Sequence, residues 1–201
     1  MLDAALDLLD RGGLPALSMR GIAQELGLQP SALYWHFPDK QTLLAALSRR
    51  VLLPAATGTA GAPDADEGDD PTGSPSSIPW EDAVRAAASR LREALTAHRD
   101  GAELVSSSLA LGLVELPLGD SLREPLRAAG ASARSTAVVA ETLGHFVIGH
   151  TFHEQQRTTA REAGVSAEPP VEDEGAPRDS FAAGVDLLVA GAAVLISMDR
   201  G

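Results

Sequence analysis

The chain has no cysteine, a single lysine (Lys40) and no overall excess of positive charge, since 16 Lys and Arg stand against 28 Asp and Glu for a formal balance of −12. Without cysteine there is neither a disulfide framework nor a thiolate metal site. No basic stretch leads into an apolar signal core near the start of the chain, so the cytoplasm is the expected compartment. The longest apolar stretch, residues 181–198, is interrupted by Asp186 and contains Gly184 and Gly191. That suits a buried or subunit-joining helix and argues against a membrane span. No segment alternates apolar and polar residues long enough to suggest a sheet, so an all-α fold is expected. A Ser/His/Asp order, a Gly-rich phosphate loop and a paired acidic motif are also missing. No catalytic residue is assigned and no enzyme is expected.

What is present is enough apolar material for a core, 44% of the residues, and an uneven distribution of charge. Residues 1–50 hold five basic groups (Arg11, Arg20, Lys40, Arg49, Arg50) against five acidic ones (Asp3, Asp7, Asp10, Glu25, Asp39), so the remaining 151 residues carry the whole −12. A surface that touches nucleic acid must lie in the neutral N-terminal segment, with the acidic remainder turned away from the phosphates.

The spacing of Ala4, Ala5, Leu8 and Leu9 predicts a first helix that stops at Gly12-Gly13. Ser18 is placed to cap a second, whose apolar face is Ile22, Ala23 and Leu26 and whose end is Gly27. A third follows over Ser31-Ala32-Leu33-Tyr34-Trp35-His36, with Pro38 as its stop, and Asp39 caps a fourth that carries Leu43, Leu44 and Leu47 and runs to Leu53, before Pro54. Residues 57–79 are Gly, Pro, Ser, Thr, Asp and Glu with almost no large apolar side chain, so they read as a disordered acidic loop. Helices are then expected over residues 80–98, 102–115, 122–129 and 132–156, with a second polar loop at 157–178 and a last helix over 181–198. The expected division is residues 1–47 as a head and 48–201 as a body.

Two short helices joined by a tight turn, the second carrying polar and aromatic residues on most of its surface, are the pattern of a helix-turn-helix whose second helix enters the major groove. From Ala4 to Leu47 the run AALDLLDRGGLPALSMRGIAQELGLQPSALYWHFPDKQTLLAAL resembles the TetR family of transcriptional regulators. The resemblance implies a three-helix DNA-binding head joined by a long fourth helix to a helical ligand-binding and dimerisation body. It assigns DNA contacts to Ser18, Arg20, Ser31, Ala32, Tyr34, Trp35, His36 and Lys40. Arg20 would bridge phosphate or read guanine, Ser31 and Ala32 would face base edges, and Tyr34, Trp35, His36 and Lys40 would grip the backbone. Lys40 is expected to act on one phosphate together with the N-terminus of the fourth helix. Packing within the head is the alternative for Tyr34 and Trp35, and simple solvation for Arg20.

The body resembles the tetracycline repressors, in WEDAVRAAASRLREALTAHRDGAEL from Trp80, ETLGHFVIGHTFHEQQ from Glu141 and the final helix. Aligned on HRDGA, Val105 stands where those proteins have a magnesium-binding histidine; aligned on GHF, His153 stands where they have a glutamate near the metal. Ala56 and Ala87 fall at positions that hydrogen-bond the drug. The expected inducer is therefore a small molecule other than magnesium-tetracycline, bound without cofactor or metal in a mostly apolar pocket with a few polar anchors. Candidate contacts are His145, Gly149 and His153, expected together with Glu141 on one side of the long helix, and Val105, Leu109, Phe146 and Phe152, for which core packing is an equal explanation. His150, His153 and Glu154 lack the spacing that puts two metal ligands and a base on one helix face.

Small residues at Ala183, Gly184, Ala190 and Gly191, and at Ala140, Gly144 and Gly149, suggest helices that approach closely, and the resemblance implies a four-helix homodimer interface from them. The expected partners are operator DNA, a second copy and an inducer, and no membrane. A ligand-independent DNA-binding dimer is the main rival, and a small all-α enzyme the lesser one.

Overall fold

A computed structural model describes residues 1–57, 78–165 and 180–201. Among these residues all regular structure is helical, in the order α1 Leu2–Ala16, α2 Met19–Glu25, α3 Pro30–His36, α4 Lys40–Thr57, α5 Trp80–Thr96, α6 Gly101–Ala110, α7 Leu118–Ala128, α8 Ala133–Glu162 and α9 Ser180–Arg200. The expected loop at 57–79 lies outside the described residues except at its two ends.

The head is α1 to α3 and the start of α4. Ala5, Leu6 and Leu9 of α1, Ile22 and Ala23 of α2, Leu33 of α3, and Leu43 and Leu47 of α4 are buried together. Ser18 caps α2, its Oγ accepting from the Gly21 N–H at 3.0 Å. Pro30 occupies the first turn of α3, where its missing N–H costs nothing. Helical geometry in α1 breaks at Gly13, whose φ of 68° and ψ of −176° turn the chain at the place where the glycine pair predicts a stop.

Four boundaries differ from the expectation. Helix α4 continues through Pro54 to Thr57. Proline removes one hydrogen bond, but Val51, Leu52 and Ala55 stay buried in the core and carry the helix past it. Helix α6 ends at Ala110 because Gly112 follows with a φ of 65°, and α7 begins at Leu118, earlier than its apolar pattern suggested. Helix α8 runs to Glu162, so the start of the expected loop at 157–178 is helical, and residues 166–178 lie outside the described ones. Polar ties take the place of an apolar stripe there: Gln156 Nε2 donates to Glu103 Oε2 at 3.0 Å, and Arg99 meets Glu162 at 3.3 Å.

Helix α9 is long and apolar enough to cross a membrane by composition. In this fold Phe181, Val185, Val189, Ala192 and Ile196 turn one side of it into the core.

Two polar connections fix the head on the body. At the first, the turn between α5 and α6 clasps the end of α1. The Asp10 carboxylate accepts from the Arg99 backbone N–H and meets His98 Nδ1, each at 3.0 Å, while buried Asp100 accepts from the Leu14 N–H at 2.8 Å. Asp100 is the one non-glycine residue with positive φ among those described, at 53°. A Cβ on Gly13 would lie 2.6 Å from its Oδ2, so only glycine admits this approach. Gln155 of α8 holds the same turn, donating to the His98 carbonyl at 2.8 Å and accepting from the Ala102 N–H at 3.1 Å. At the second connection, the buried hydroxyls of Ser48 on α4 and Ser108 on α6 lie 2.8 Å apart.

Truncating Asp100 to Ala leaves the part-buried Leu14 N–H without its partner and is expected to cost about 1–3 kcal/mol. Urea denaturation measures it, and an unchanged midpoint would show that the clasp contributes nothing to stability.

Candidate functional site

Helix α3 buries only Leu33 fully and turns the rest of its surface outward. Trp35 is 89% exposed and Tyr34 50% exposed, so neither packs the head. Burying a large aromatic side chain is worth about 1.5–3 kcal/mol, which this helix forgoes. Adjacent exposed aromatic residues on a short helix mark a contact surface. Ser31 and His36 are exposed on the same helix and Ala32 is half-buried.

Charge pairing sorts the head's basic residues. Arg11 is tied to Glu25 at 2.7 Å and Arg50 to Asp3 at 3.2 Å, while Arg49 donates to the Leu113 carbonyl of the body. Arg20, at the start of α2, and Lys40, at the start of α4, are exposed and have no ion pair or hydrogen bond among the described residues. They are left available for an anion. Ser18 also lies exposed at the start of α2, its hydroxyl engaged as the cap.

The start of α4 carries the cap expected at Asp39. The Asp39 carboxylate accepts from the Thr42 N–H at 2.7 Å, and that bond holds its carboxyl below the ordinary range. A lowered value keeps the cap charged at neutral pH and loses it only as pH falls through that value.

In the body, a groove of about 920 Å³ opens between α6, the connection to α7, and α8. Leu109 and Ala110 of α6, Val114 and Leu116 of the connection, Leu118 of α7, and Ala137, Ala140 and Ile148 of α8 supply its apolar lining, with Ser106, Glu115, Glu141 and His145 as polar members. Of the expected ligand contacts, Leu109, His145 and Gly149 line this groove.

The other four do not. Val105 is fully buried in the core, and Phe146 stacks on Phe181, their centroids 5.8 Å apart, on the α9 side of α8. Phe152 packs against the core, and His153 is exposed with its ring 5.6 Å from that of Phe152. Eight residues on an α-helix return about 80° away from the starting direction, enough to carry His153 off the face that His145 occupies. Two of the small residues expected at a subunit interface also serve inside the chain: a Cβ on Gly144 would meet Leu116 at 2.3 Å, and one on Gly184 would meet Phe146 at 2.2 Å.

Residues 1–47 match the family described as bacterial regulatory proteins, tetR family, and residues 72–183 match the tetracyclin repressor-like C-terminal domain. The chain belongs to the TetR family. It is 31% identical over 205 residues to the tetracycline repressor protein class A from transposon 1721 of Escherichia coli, covering 96% of this chain and 88% of that protein. Among solved structures, BioQ of Mycobacterium smegmatis superposes with a TM-score of 0.76 at 34% identity, covering 96% of both chains. BioQ with its double-stranded DNA operator superposes with a TM-score of 0.72 at 33% identity, covering 96% of this chain and 95% of that one. TetR (class A) in complex with 5a,6-anhydrotetracycline and magnesium gives 0.63 at 30% identity, covering 96% and 95%. The TetR head is thus a helix-turn-helix DNA-binding unit with α3 as its second helix, and the body belongs to the ligand-binding type.

Sequence reasoning found the exposed aromatic pair and both unpaired cations. It missed Glu115, which stands in the groove wall; Glu141, expected on the same face of the long helix as His145, lines the groove with it.

With Trp80→Phe, Trp35 is the only remaining tryptophan. Its emission is expected at the wavelength of a water-exposed indole and to be quenched freely by acrylamide. A blue-shifted, protected emission would mean that α3 packs its aromatic residues inward.

Proposed function

We propose that this TetR-family regulator is a repressor that binds a palindromic operator as a homodimer and is released by a small-molecule inducer other than magnesium-tetracycline. The observation that carries the DNA half is the outward face of α3, with Trp35 almost wholly exposed, together with Arg20 and Lys40, exposed at the starts of α2 and α4 without a partner among the described residues. Ser31 and Ala32 are the proposed readers of base edges; Ser18, Arg20, Tyr34, Trp35, His36 and Lys40 are the proposed contacts to the backbone. The protein acts in the cytoplasm, where its operator is. Residues 1–47 read the DNA, and 48–201 bind the inducer and the second copy, with α4 running through the boundary between them.

A second copy is favoured by the outward face of α9. Leu187 is 74% exposed, Val194 60% and Met198 73%, and Ala190 and Gly191 lie exposed between them. Spacings of three, four and seven residues join these into one apolar stripe of the kind that two helices of a bundle bury against each other. Two recognition helices one DNA turn apart, ~34–36 Å, require such a pairing.

The inducer half is supported by the groove, whose volume lies in the range that small ligands occupy. Leu109, His145 and Gly149 are its proposed contacts. The magnesium complex held by the class A relative does not fit this chain, because Val105 offers no donor atom and is sealed in the core. Ala56 and Ala87 likewise offer no side-chain hydrogen bond to a drug.

A wedge in the groove moves α6, and α6 carries Ser108, which is bonded to Ser48 of α4. Displacing α4 swings the head out of register with its operator. An almost complete switch requires the inducer to prefer the released state by about 5.5 kcal/mol.

Footprinting on DNA flanking the gene is expected to show two symmetric half-sites one turn apart. Two free cations per head predict that a dimer neutralises only about four phosphates, so log K against log[salt] should fall with a slope of about −4. Leu187→Asp should sediment as a monomer and lose at least about a hundredfold in operator affinity. A monomeric wild type, or binding no tighter than to random DNA, would overturn the proposal.

A further inference from the structure

The groove wall carries charge of one sign only. Among the described residues its lining includes two carboxylates, Glu115 from the connection after α6 and Glu141 from α8, and no Lys or Arg. Neither carboxylate has a hydrogen bond or ion pair among the described residues. Of the arginines on the flanking elements, Arg49 donates to the Leu113 carbonyl, Arg123 pairs with Asp120 at 2.8 Å, and exposed Arg134 of α8 lies outside the lining. The remaining polar lining, the Ser106 hydroxyl and the His145 imidazole, adds acceptor capacity. Around these groups the surface is aliphatic, with no aromatic face turned into the groove.

Resting on the proposal that this groove holds the inducer, we infer that its ligand class is a lipophilic amine bound in its protonated form. A ligand that fills an apolar groove strips water from the walls, and a carboxylate stripped of water without a counter-charge is strongly penalised. An ammonium group on the ligand removes that penalty at Glu115 and Glu141, whereas an anionic ligand doubles it, so the same wall attracts one class and rejects the other. The lining also chooses between kinds of cation. Quaternary ammonium groups are commonly held by aromatic faces, which this groove lacks. Carboxylates, a hydroxyl and an imidazole instead match N–H donors on a primary or secondary amine. The aliphatic stretch from Ala137 and Ala140 to Ile148, facing Leu109, Val114 and Leu118, takes the apolar part of the molecule. The body's excess of acidic residues draws cations toward the same side of the protein.

The test uses the full chain and three probes that share one fluorophore: dansylcadaverine, which carries a primary ammonium; its N-acetyl derivative, which is neutral; and dansyl-6-aminohexanoate, which is anionic. Dansyl emission rises in apolar surroundings and reports binding. The amine is expected to bind at least tenfold more tightly than the neutral probe and at least a hundredfold more tightly than the anion.

Glu141→Gln combined with Glu115→Gln should reduce the amine's advantage over the neutral probe to about one. Glu93→Gln, an exposed position outside the groove, should leave it unchanged. A Cβ at Gly149 would meet nothing within 4 Å, so Gly149→Phe extends into the open groove without disturbing the core and should abolish binding of every probe. Equal binding of all three probes, blocked by Gly149→Phe, would overturn the amine assignment and leave the groove as the ligand site. An amine preference that survives the double substitution would overturn the roles of Glu115 and Glu141. Absence of binding by any probe, or binding indifferent to Gly149→Phe, would overturn the groove itself as the ligand site.

Discussion

The architecture depends on a pair of aspartates at the junction of head and body. Asp100 sits in a left-handed conformation that most residues avoid, and that conformation aims its carboxylate at the Leu14 N–H, while Asp10 reaches back to the same turn. Gly13 presents this N–H by turning the chain with positive φ and by having no side chain in the way. A body loop and a head helix thus satisfy each other's backbone groups. Since Gln155 binds the loop from behind, α1, the α5–α6 turn and α8 form one hydrogen-bonded unit. Such reciprocal bonds are directional, and they fix the head's orientation more sharply than apolar contact alone would.

The second connection has a different character. Ser48 and Ser108 lie buried between α4 and α6, and α6 is one wall of the groove. The clasp anchors the start of α6 and the groove flanks its end, so a wedge at the far end levers the helix about a fixed point. Pro54 removes one backbone bond from α4 near the limit of its buried stretch, in the part of the helix that belongs to the body. The coupling needs no long route, since groove, α6, Ser108, Ser48 and α4 are consecutive neighbours.

The all-helical fold, the three helices of the head and the caps at Ser18 and Asp39 were legible because local rules govern them: apolar spacing, side-chain capping and glycine stops. The outward face of α3 was legible as well, since a helix with one deeply buried position cannot hide its aromatic residues. Elements governed by distant partners were not. The end of α8 from Gln156 to Glu162 has no apolar stripe and is held by Glu103 and Arg99, which lie more than fifty positions away. Asp10 read as one more surface acid, and nothing local marks its meeting with His98 and Arg99. In the body, residue type pointed to histidines and aromatics as ligand contacts. Helical phase sends Phe146 toward α9 and His153 away from the groove, while Glu141 stands in the groove wall on the face it was expected to share with His145, and nothing local marks Glu115 beside it.

The central claim is that the body holds each head at a set orientation, so that head spacing is a property of the protein that a ligand can alter. A chain without cysteine permits a direct measurement: Gln24→Cys places one spin label on the exposed side of α2 in each protomer of the proposed homodimer, and double electron–electron resonance reads their separation without DNA. A single narrow distribution that broadens when Asp10 and Asp100 are both replaced by Ala is the predicted result. A wild-type distribution as broad as that of the substituted protein would contradict it, since the heads would then be set by DNA and not by the clasp.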